Sequence, residues 1–409
     1  MKNVLKCISL AALIVAVVAV LGACNNQPAP APAPVEAPVE AEVEVPAEPD
    51  PEPEPVEVEE VEAVEEPAPE PEAGFTADDV QIALIAHSPD SILDDGSFNE
   101  GAWQGIQLFL STHGLSGDHA QFFQPHVADD AARIDLIEAA IDGGANVLVL
   151  PGFHFESSLY EAQDLFPDTT FILLDASPRR DGVTRVENNV AAIHYAEDQA
   201  GFLAGYAAVM EGYRALGFMG GIPVPAVVRF GHGFIQGAEH AAASLGLEAG
   251  EVTISYHYLG GFAPDPAHAM AAAAWFADGT QVIFAAAGGA GFNVMSAAEG
   301  AGASTIGVDV DQAGLSPSVI TSAVKGLDVS VNAMLTAFVE GRFQGGEQLF
   351  DASINGVGLP MGSARFENFT TAQYDNVFAQ LAGGSVTVSN SLVMDEILPM
   401  ITLVTVVER

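Results

Sequence analysis

Basic residues are scarce in this chain of 409 residues, and lysine is the scarcest of them. Twelve Lys and Arg residues face 55 Asp and Glu residues, so the formal net charge at pH 7 is −43. That charge argues strongly against nucleic acid or anionic lipid as a partner, because both would be repelled. After Lys2 and Lys6, the only lysine is Lys325. A lysine retained alone after the strand-like run 319–324 indicates a specific task for its ammonium group.

Cysteine is equally rare, since the chain has only Cys7 and Cys24. Two lysines followed by an apolar run that ends at Leu21 are typical of a secretory signal, and the run is too short for a membrane span of about 20 residues. The sequence Leu-Gly-Ala-Cys at 21–24 predicts a lipoprotein signal peptide over residues 1–23 and a lipidated Cys24. The chain would then be anchored on the extracytoplasmic face of the cell membrane, with no disulfide in the mature protein. An uncleaved signal anchor is the alternative.

A tether rich in Pro, Glu and Ala follows the lipidated cysteine, over residues 24–74. It has 16 acidic residues and no basic one, so its charges repel and it cannot bury enough apolar surface to fold. Without this segment and the two leader lysines, the remaining domain keeps 39 acidic and 10 basic residues. We expect a disordered, extended spacer between the membrane and a globular domain.

From Val80 onward, short apolar runs alternate with helical patterns, which predicts parallel βαβ units. The predicted strands are Ile82–Ala86, Gln121–Phe123, Asn146–Leu150, Phe171–Leu174, Ala215–Met219, Val252–Tyr256, Val282–Ala285, Thr305–Val308 and Val319–Val324. The pattern restarts after a long helix predicted over Tyr195–Met210. We therefore expect an α/β fold with two doubly wound, parallel-sheet lobes joined by a hinge. The predicted N-terminal lobe covers 75–192 and is completed by about 327–360; the C-terminal lobe covers 193–326 and is completed by about 361–409.

In such sheets a ligand lies beyond the carboxyl ends of the strands, and a hinge can close two facing lobes around it. The loop that ends in Phe98 follows the first strand, and Ser97 and Glu100 fit a capping box. Phe98 either packs under the loop or stacks on a planar ligand. Phe262 has the corresponding place in the second half. Further candidates follow other strands: His87, Asp95, Asn99, Phe153, Asp175, Gly288, Gly289, Asp309 and Lys325.

Each of these residues also has an ordinary structural explanation as a turn, loop or cap residue, but their shared position at strand ends favours one cleft. There, Phe98 and Phe262 would enclose a planar ring. Asp309 and Lys325 would bind the polar end of the same molecule as acceptor and donor.

The whole domain from about residue 80 resembles the basic membrane protein group of substrate-binding lipoproteins from ABC importers, which includes purine nucleoside receptors. The matching segments are Asp94–Asn99 with Trp103, Glu197–Gly205, Val228–Phe234, Ala287–Gly289, Gly307–Gln312 and Thr321–Lys325. The resemblance implies a type I periplasmic-binding-protein fold with a nucleoside between the lobes. It also implies that the base stacks on Phe98 and Phe262, and that Asp309, Lys325 and an amide of Gly288 or Gly289 bind the ribose.

One departure concerns the first strand end, where members of the family often carry Asp. In this chain the strand ends at His87, the loop from there to Phe98 is longer, and His87, Ser88 or Asp90 is the candidate to replace that Asp. The segment around Arg229 is expected to be a helical framework element, outside the site. The predicted function is a monomeric, lipid-anchored receptor that delivers a nucleoside to an ABC permease and ATPase, without catalysis, cofactor or metal. A receptor for a sugar or another small polar metabolite, a membrane-tethered nucleoside-processing enzyme and a sensor are the alternatives.

Overall fold

A computed structural model of the chain describes residues 76–409. The predicted signal peptide, the lipidation site at Cys24 and the tether that ends at residue 74 lie outside the described residues. Within residues 76–409, none of the helices combines the length and the apolar character needed to cross a bilayer.

The described part of the chain forms two sheets whose strands are almost all parallel. The strands are β1 Ile82–Ile85, β2 Ala120–Phe123, β3 Val147–Pro151, β4 Thr170–Leu174, β5 Arg179–Arg180, β6 Val183–Thr184, β7 Val190–Tyr195, β8 Ala215–Gly220, β9 Val252–Tyr258, β10 Val282–Ala286, β11 Ser304–Asp309, β12 Val319–Lys325, β13 Gly346–Phe350, β14 Val357–Gly358 and β15 Val404–Glu408. The first sheet has the order β13-β7-β4-β3-β1-β2, and the second β14-β12-β11-β10-β8-β9-β15. Only β14 pairs antiparallel within them, and β5 and β6 form a separate two-stranded ribbon.

Helices cover both sheets. They are α1 Phe98–His113, α2 Asp130–Asp142, α3 Glu156–Leu165, α4 Glu197–Glu211, α5 Pro225–Leu245, α6 Pro266–Ala277, α7 Gly291–Ala301, α8 Leu327–Val339, α9 Thr371–Ala382 and α10 Met394–Ile397. The central strands are continuous apolar runs because a sheet covered on both faces buries the side chains of its central strands. In β1, β3 and β4, all residues are buried.

The helices α4 and α5 pack backbone against backbone, because glycines line both contact surfaces. A Cβ atom added at Gly201 or Gly205 of α4 would lie 2.1 or 2.0 Å from a carbonyl oxygen of α5. Added at Gly233 or Gly237 of α5, it would lie 2.0 or 1.9 Å from a carbonyl oxygen of α4. Any larger side chain would push the helices apart, so these glycines fix the relative position of the two helices.

The chain crosses between the sheets three times, after β7, after β12 and after β13. The three crossings are tied to one another by backbone hydrogen bonds. The amide of Ala196 donates to the carbonyl of Phe350 at 3.1 Å, and that of Gly326 donates to Gly356 at 2.8 Å. The Tyr195 hydroxyl is also 2.5 Å from the Ser330 hydroxyl. Together the crossings form the hinge between the two lobes.

The predicted strands are all present, within one or two residues at their ends. Sequence patterns missed β7, β13 and β15, as well as the short β5, β6 and β14. The helix predicted to begin at Tyr195 begins at Glu197 instead, because Tyr195 still belongs to β7. Missing β7 meant missing a strand end, and this strand end contributes to the site described next.

Candidate functional site

The ammonium group of Lys325 lies at the end of β12, where three carboxylates converge on it. It is 2.5 Å from Asp175 Oδ2, 3.6 Å from Glu197 Oε1 and 3.6 Å from Asp309 Oδ1. Asp175 follows β4 of the first sheet, Asp309 ends β11 of the second, and Glu197 begins α4 at a hinge crossing. The Lys325 side chain is 2 % exposed. One buried cation therefore joins both lobes and the hinge.

Both strand-end aspartates adopt a backbone conformation that favours glycine. The φ angle is 62° at Asp175 and 66° at Asp309, in the left-handed region. Holding a non-glycine residue there costs about 1–3 kcal/mol, although Asp tolerates it better than most residues. Such strain collects at functional sites, where the surrounding structure holds a side chain in a required direction. Here both turns direct a carboxylate to the same ammonium.

Burial and charge oppose each other in this cluster. Burial raises the pKa of Asp175 and of Glu197, and the nearby Lys325 ammonium lowers both without cancelling the rise. Burial lowers the pKa of Lys325, but the carboxylates of Asp175, Asp309 and Glu197 outweigh it and raise that pKa above its ordinary value. Asp175 Oδ1 is buried and has no hydrogen-bond partner within residues 76–409. This oxygen is available to a donor that enters the site.

Aromatic rings surround the ammonium on its remaining sides. Its nitrogen is 5.0 Å from the ring centre of Phe98, 5.2 Å from that of Phe230 and 5.6 Å from that of Tyr195. These distances fall within the range of cation–π attraction. Phe98 is the first residue of α1 and is half-buried, so part of its ring remains accessible.

The loop before α1 reaches across to the second lobe, and the predicted Ser97–Glu100 capping box is wrong. The Asp95 carboxylate accepts hydrogen bonds from the amides of Ser97, Asn99 and Glu100 and takes over the cap. The Ser97 hydroxyl is thus free to donate to Asp309 Oδ2 at 2.8 Å. Asp95, which was predicted to bind the ligand, therefore supports the loop through these three hydrogen bonds.

Asn99 and Gln312 hold the same loop. The Asn99 side chain donates to the Ile92 carbonyl at 3.1 Å, so Asn99 also supports the loop. The amide group of Gln312, in the second lobe, donates to the Gly96 carbonyl at 2.8 Å. The Gln312 side chain also accepts from the Val308 amide at 3.0 Å, which orients it. Gln312 therefore bridges the end of β11 to the loop of the first lobe.

The second predicted aromatic, Phe262, lies on glycine turns that follow two strands of the second sheet. A Cβ atom added at Gly221 would lie 2.3 Å from its ring, and one added at Gly288 would lie 3.6 Å from it. At Gly289 an added Cβ would be 3.2 Å from the Phe262 carbonyl oxygen. The glycines thus make room for this half-buried ring at the carboxyl edge of the sheet, as expected from the strand-end pattern.

Two imidazoles lie near Phe98 at the carboxyl ends of β1 and β3. The rings of His87 and His154 stack at 4.1 Å and 5°, and Phe153 stacks on His154 at 4.0 Å. A Cβ atom added at Gly152 would be 4.0 Å from the Phe98 ring, which places this group beside the aromatic wall. Burial, helped by the charges of His154 and Arg133, lowers the pKa of His87 to about 4, so it is neutral at pH 7.

Sequence reasoning brought Asp175, Asp309, Lys325 and Phe98 to one place, but it missed other members of the cluster. Glu197 and Phe230 were quoted only as parts of family-like segments, and Tyr195 only as the first residue of a predicted helix. Glu197 follows β7, so the strand-end rule would have found it if β7 had been predicted. Phe230 lies within α5, and no local pattern separates it from a core residue.

The family comparison agrees with this geometry. A family model described as "ABC transporter substrate-binding protein PnrA-like" matches residues 81–382, which is most of the chain. The chain belongs to this family. It is accordingly a substrate-binding protein of an ABC transporter, and proteins of this class act outside the cytoplasm. The predicted resemblance to basic membrane proteins is confirmed.

Similar proteins of known name support the same assignment. The chain is 26 % identical over 316 residues to the "ABC transporter nucleoside-binding protein BmpA" of Lactococcus lactis subsp. cremoris, covering 72 % of this chain and 85 % of that one. It is 28 % identical over 263 residues to "Basic membrane protein A" of Borreliella burgdorferi, covering 63 % and 73 %.

Solved structures confirm the fold. A solute-binding protein of an ABC transporter system from Aeropyrum pernix K1 matches with a TM-score of 0.65 and 21 % identity, over 79 % of this chain and 96 % of that one. A second, from Conexibacter woesei, matches with a TM-score of 0.62 and 23 % identity, over 76 % and 99 %. The predicted type I periplasmic-binding-protein fold, with two parallel-sheet lobes, is therefore confirmed.

Proposed function

We propose that this chain is a lipid-anchored receptor that binds a nucleoside, of the purine type, between its lobes and delivers it to an ABC permease. The observation that carries the proposal is the Lys325 ammonium, which is shared by a carboxylate from each lobe and lies 5.0 Å from the Phe98 ring. A nucleoside combines the two features that this site addresses, a flat ring and a group of neighbouring hydroxyls.

The polar side of the site suits a diol. A ribose hydroxyl both donates and accepts, so it can accept from Lys325 while donating to Asp309 or to the free Oδ1 of Asp175. Charge-assisted hydrogen bonds of this kind are about twice as strong as neutral ones. Amides of Gly288 and Gly289 are further donors proposed for the ligand.

The flat side of the site suits a base. Phe98, at the start of α1, and Phe262, on a loop, are half-buried aromatic rings at the carboxyl edges of the two sheets. We propose that closure encloses the base between them, with Phe153 and His87 at its edge. The nucleoside-binding name of the Lactococcus relative agrees with this proposal. A sugar receptor would share the polar side but gain little from the rings.

Thermal-shift screening of the protein against nucleosides, free bases and ribose tests the ligand class, because a ligand that binds only the folded state raises the melting temperature. We expect purine nucleosides to give the largest shift. Calorimetry should show that Lys325→Ala weakens nucleoside binding at least tenfold, about 1.4 kcal/mol. Phe98→Ala should cost about 1 kcal/mol through lost stacking. Ribose binding as tightly as nucleoside would contradict the proposed role of the rings.

The lipid anchor is tested separately. Cells fed a clickable fatty acid should label the wild-type protein and fail to label Cys24→Ala, which should also leave the membrane fraction. Cys7→Ala is the matched control, because Cys7 lies inside the proposed signal peptide and would be removed with it. Equal labelling of wild type and Cys24→Ala would refute the anchor and leave the ligand proposal intact.

A further inference from the structure

Arg229, on α5, shares the Glu197 carboxylate with Lys325. Its Nη1 atom is 3.5 Å from Glu197 Oε2, while Glu197 Oε1 is 3.6 Å from the Lys325 ammonium. The Glu197 side chain is 2 % exposed, whereas that of Arg229 is 26 % exposed. One carboxylate therefore links a partly exposed guanidinium to a buried ammonium.

Arg229 affects the charge of Glu197. Burial raises the pKa of Glu197, and the neighbouring carboxylate of Asp198 adds to the rise. The cations Lys325 and Arg229 both lower it. If Arg229 were absent, Lys325 would be the only cation among residues 76–409 that lowers the pKa of Glu197. The carboxylate would then either take up a proton or compete with the ligand for Lys325.

The position of Arg229 relative to Glu197 is fixed by the packing of the two helices. Glu197 is the first residue of α4, and the next residue after Arg229 on α5 is Phe230, whose carbonyl oxygen lies where a Cβ of Gly201 would be. The Phe230 ring also contacts the Lys325 ammonium. The glycine contact therefore fixes the relative position of the two helices from which the guanidinium and the carboxylate extend.

We propose that Arg229 is a positioning residue that acts through Glu197. Glu197 then holds the Lys325 ammonium in place, and the ammonium can still bind a ligand. Half of the Glu197 carboxylate is occupied by Arg229, which leaves the ammonium able to exchange its contacts with Asp175 and Asp309 for hydroxyls of a ligand. This inference rests on the proposed nucleoside function, since the ligand that Lys325 binds is the one named there. It gives Arg229 a role beyond the framework position expected from the sequence.

Calorimetry at two pH values tests the role of Arg229, with adenosine and guanosine as probes. At pH 7.5 we expect Arg229→Met to raise the Kd at least fivefold. The loss of affinity should be larger at pH 6, because Glu197 without Arg229 takes up a proton more readily and then no longer holds the Lys325 ammonium. Arg229→Lys should stay within twofold of wild type at both values. Arg342→Met is the matched control, since Arg342 is exposed and pairs only with the exposed Glu340 among the described residues.

A purely structural role would lower the melting temperature of Arg229→Met without a pH-dependent change in Kd. Binding within twofold of wild type at both pH values would overturn the proposal. The proposal would also be overturned if Arg229→Met raised the Kd equally at both pH values and Arg229→Lys bound no more tightly than Arg229→Met.

A ligand-free measurement separates this proposal from the proposed function. With ¹³C-labelled lysine, the full chain gives signals from only Lys2, Lys6 and Lys325, and a Lys325→Met spectrum identifies the last. We expect Arg229→Met to shift the Lys325 signal and Arg342→Met to leave it unchanged. If neither nucleoside binds wild type, the proposed function fails. A shifted Lys325 signal would still support the positioning role, and an unshifted one would overturn it.

Discussion

Lys325→Met is a test of the charge cluster that requires no ligand. Methionine keeps an unbranched side chain of similar length. In the described part of the chain, it removes the only cation that lies within 3.6 Å of all three carboxylates. Removing one partner of a buried ion pair typically costs about 3–5 kcal/mol, because the remaining charge is left uncompensated. We expect a loss of that size in the free energy of unfolding at pH 8. At this pH the carboxyl groups must either stay charged without their cation or bind protons from a solution in which protons are scarce.

The loss should shrink as the pH falls. Asp175 already has a raised pKa because of burial, and loss of Lys325 raises it further. A carboxyl group with a raised pKa binds protons more tightly in the folded than in the unfolded state, so stability increases as the pH falls through the raised pKa. The stabilisation by Lys325 itself, whose pKa is raised, is fully present at both pH 5 and pH 8 in wild type. The variant should therefore approach wild type at pH 5.

Urea unfolding followed by circular dichroism at pH 5 and pH 8 measures both quantities. Lys325→Met combined with Asp175→Asn should recover part of the loss at pH 8, because one uncompensated charge is gone. The exposed pair partner Arg342→Met serves as the control for loss of a cation. A deficit below about 1 kcal/mol at pH 8, or the same deficit at both pH values, would refute the reasoning from uncompensated charge.

Three further perturbations test other parts of the structure. Gly205→Ala should destabilise the protein by about 3 kcal/mol in urea unfolding, because its Cβ would lie 2.0 Å from the Phe234 carbonyl oxygen. Gly117→Ala is the control and should change stability little, because open space surrounds that position. In wild type, stability should fall by about 1–2 kcal/mol between pH 6.5 and about 4, because burial and nearby positive charge disfavour protonation of His87 in the folded state. His87→Phe should make this fall smaller. Gln312→Ala removes a hydrogen bond between the lobes and should raise the nucleoside Kd about three- to tenfold in calorimetry; an unchanged Kd would show that this bond does not support closure.

Sequence patterns predicted the buried strands well because both faces of each parallel sheet are covered. A strand such as β4 is therefore an unbroken apolar run that needs no alternation. In contrast, β7 reads Val-Ala-Ala-Ile-His-Tyr, and its two alanines have low β propensity. The pattern assigned its end to the following helix. Pairing with β4 and β13 makes it a strand, and such long-range pairing cannot be read locally.

The loop before α1 shows a different limit of local rules. Both Asp95 and Ser97 are good cap residues, and sequence spacing favoured Ser97 because Glu100 follows three residues later. The structure assigns the cap to Asp95 because Ser97 has a partner in the other lobe, Asp309. Tertiary contact decided between two locally acceptable caps. The aromatic that follows was correctly placed, since either cap begins the helix near Phe98.

The geometry of the cluster explains why the retained basic residue at this position is a lysine rather than an arginine. Asp175, Glu197 and Asp309 approach from one lobe, the hinge and the other lobe, so three separate carboxylates share one ammonium. An ammonium is a compact charge with three donors, whereas a guanidinium is a planar fork suited to one carboxylate at a time. Lys325 and Asp309 end neighbouring strands of the second sheet, whereas Asp175 follows a strand of the first, so the Lys325–Asp175 contact is the one that joins the two lobes. A ligand that takes over this contact therefore acts directly on the balance between open and closed lobes.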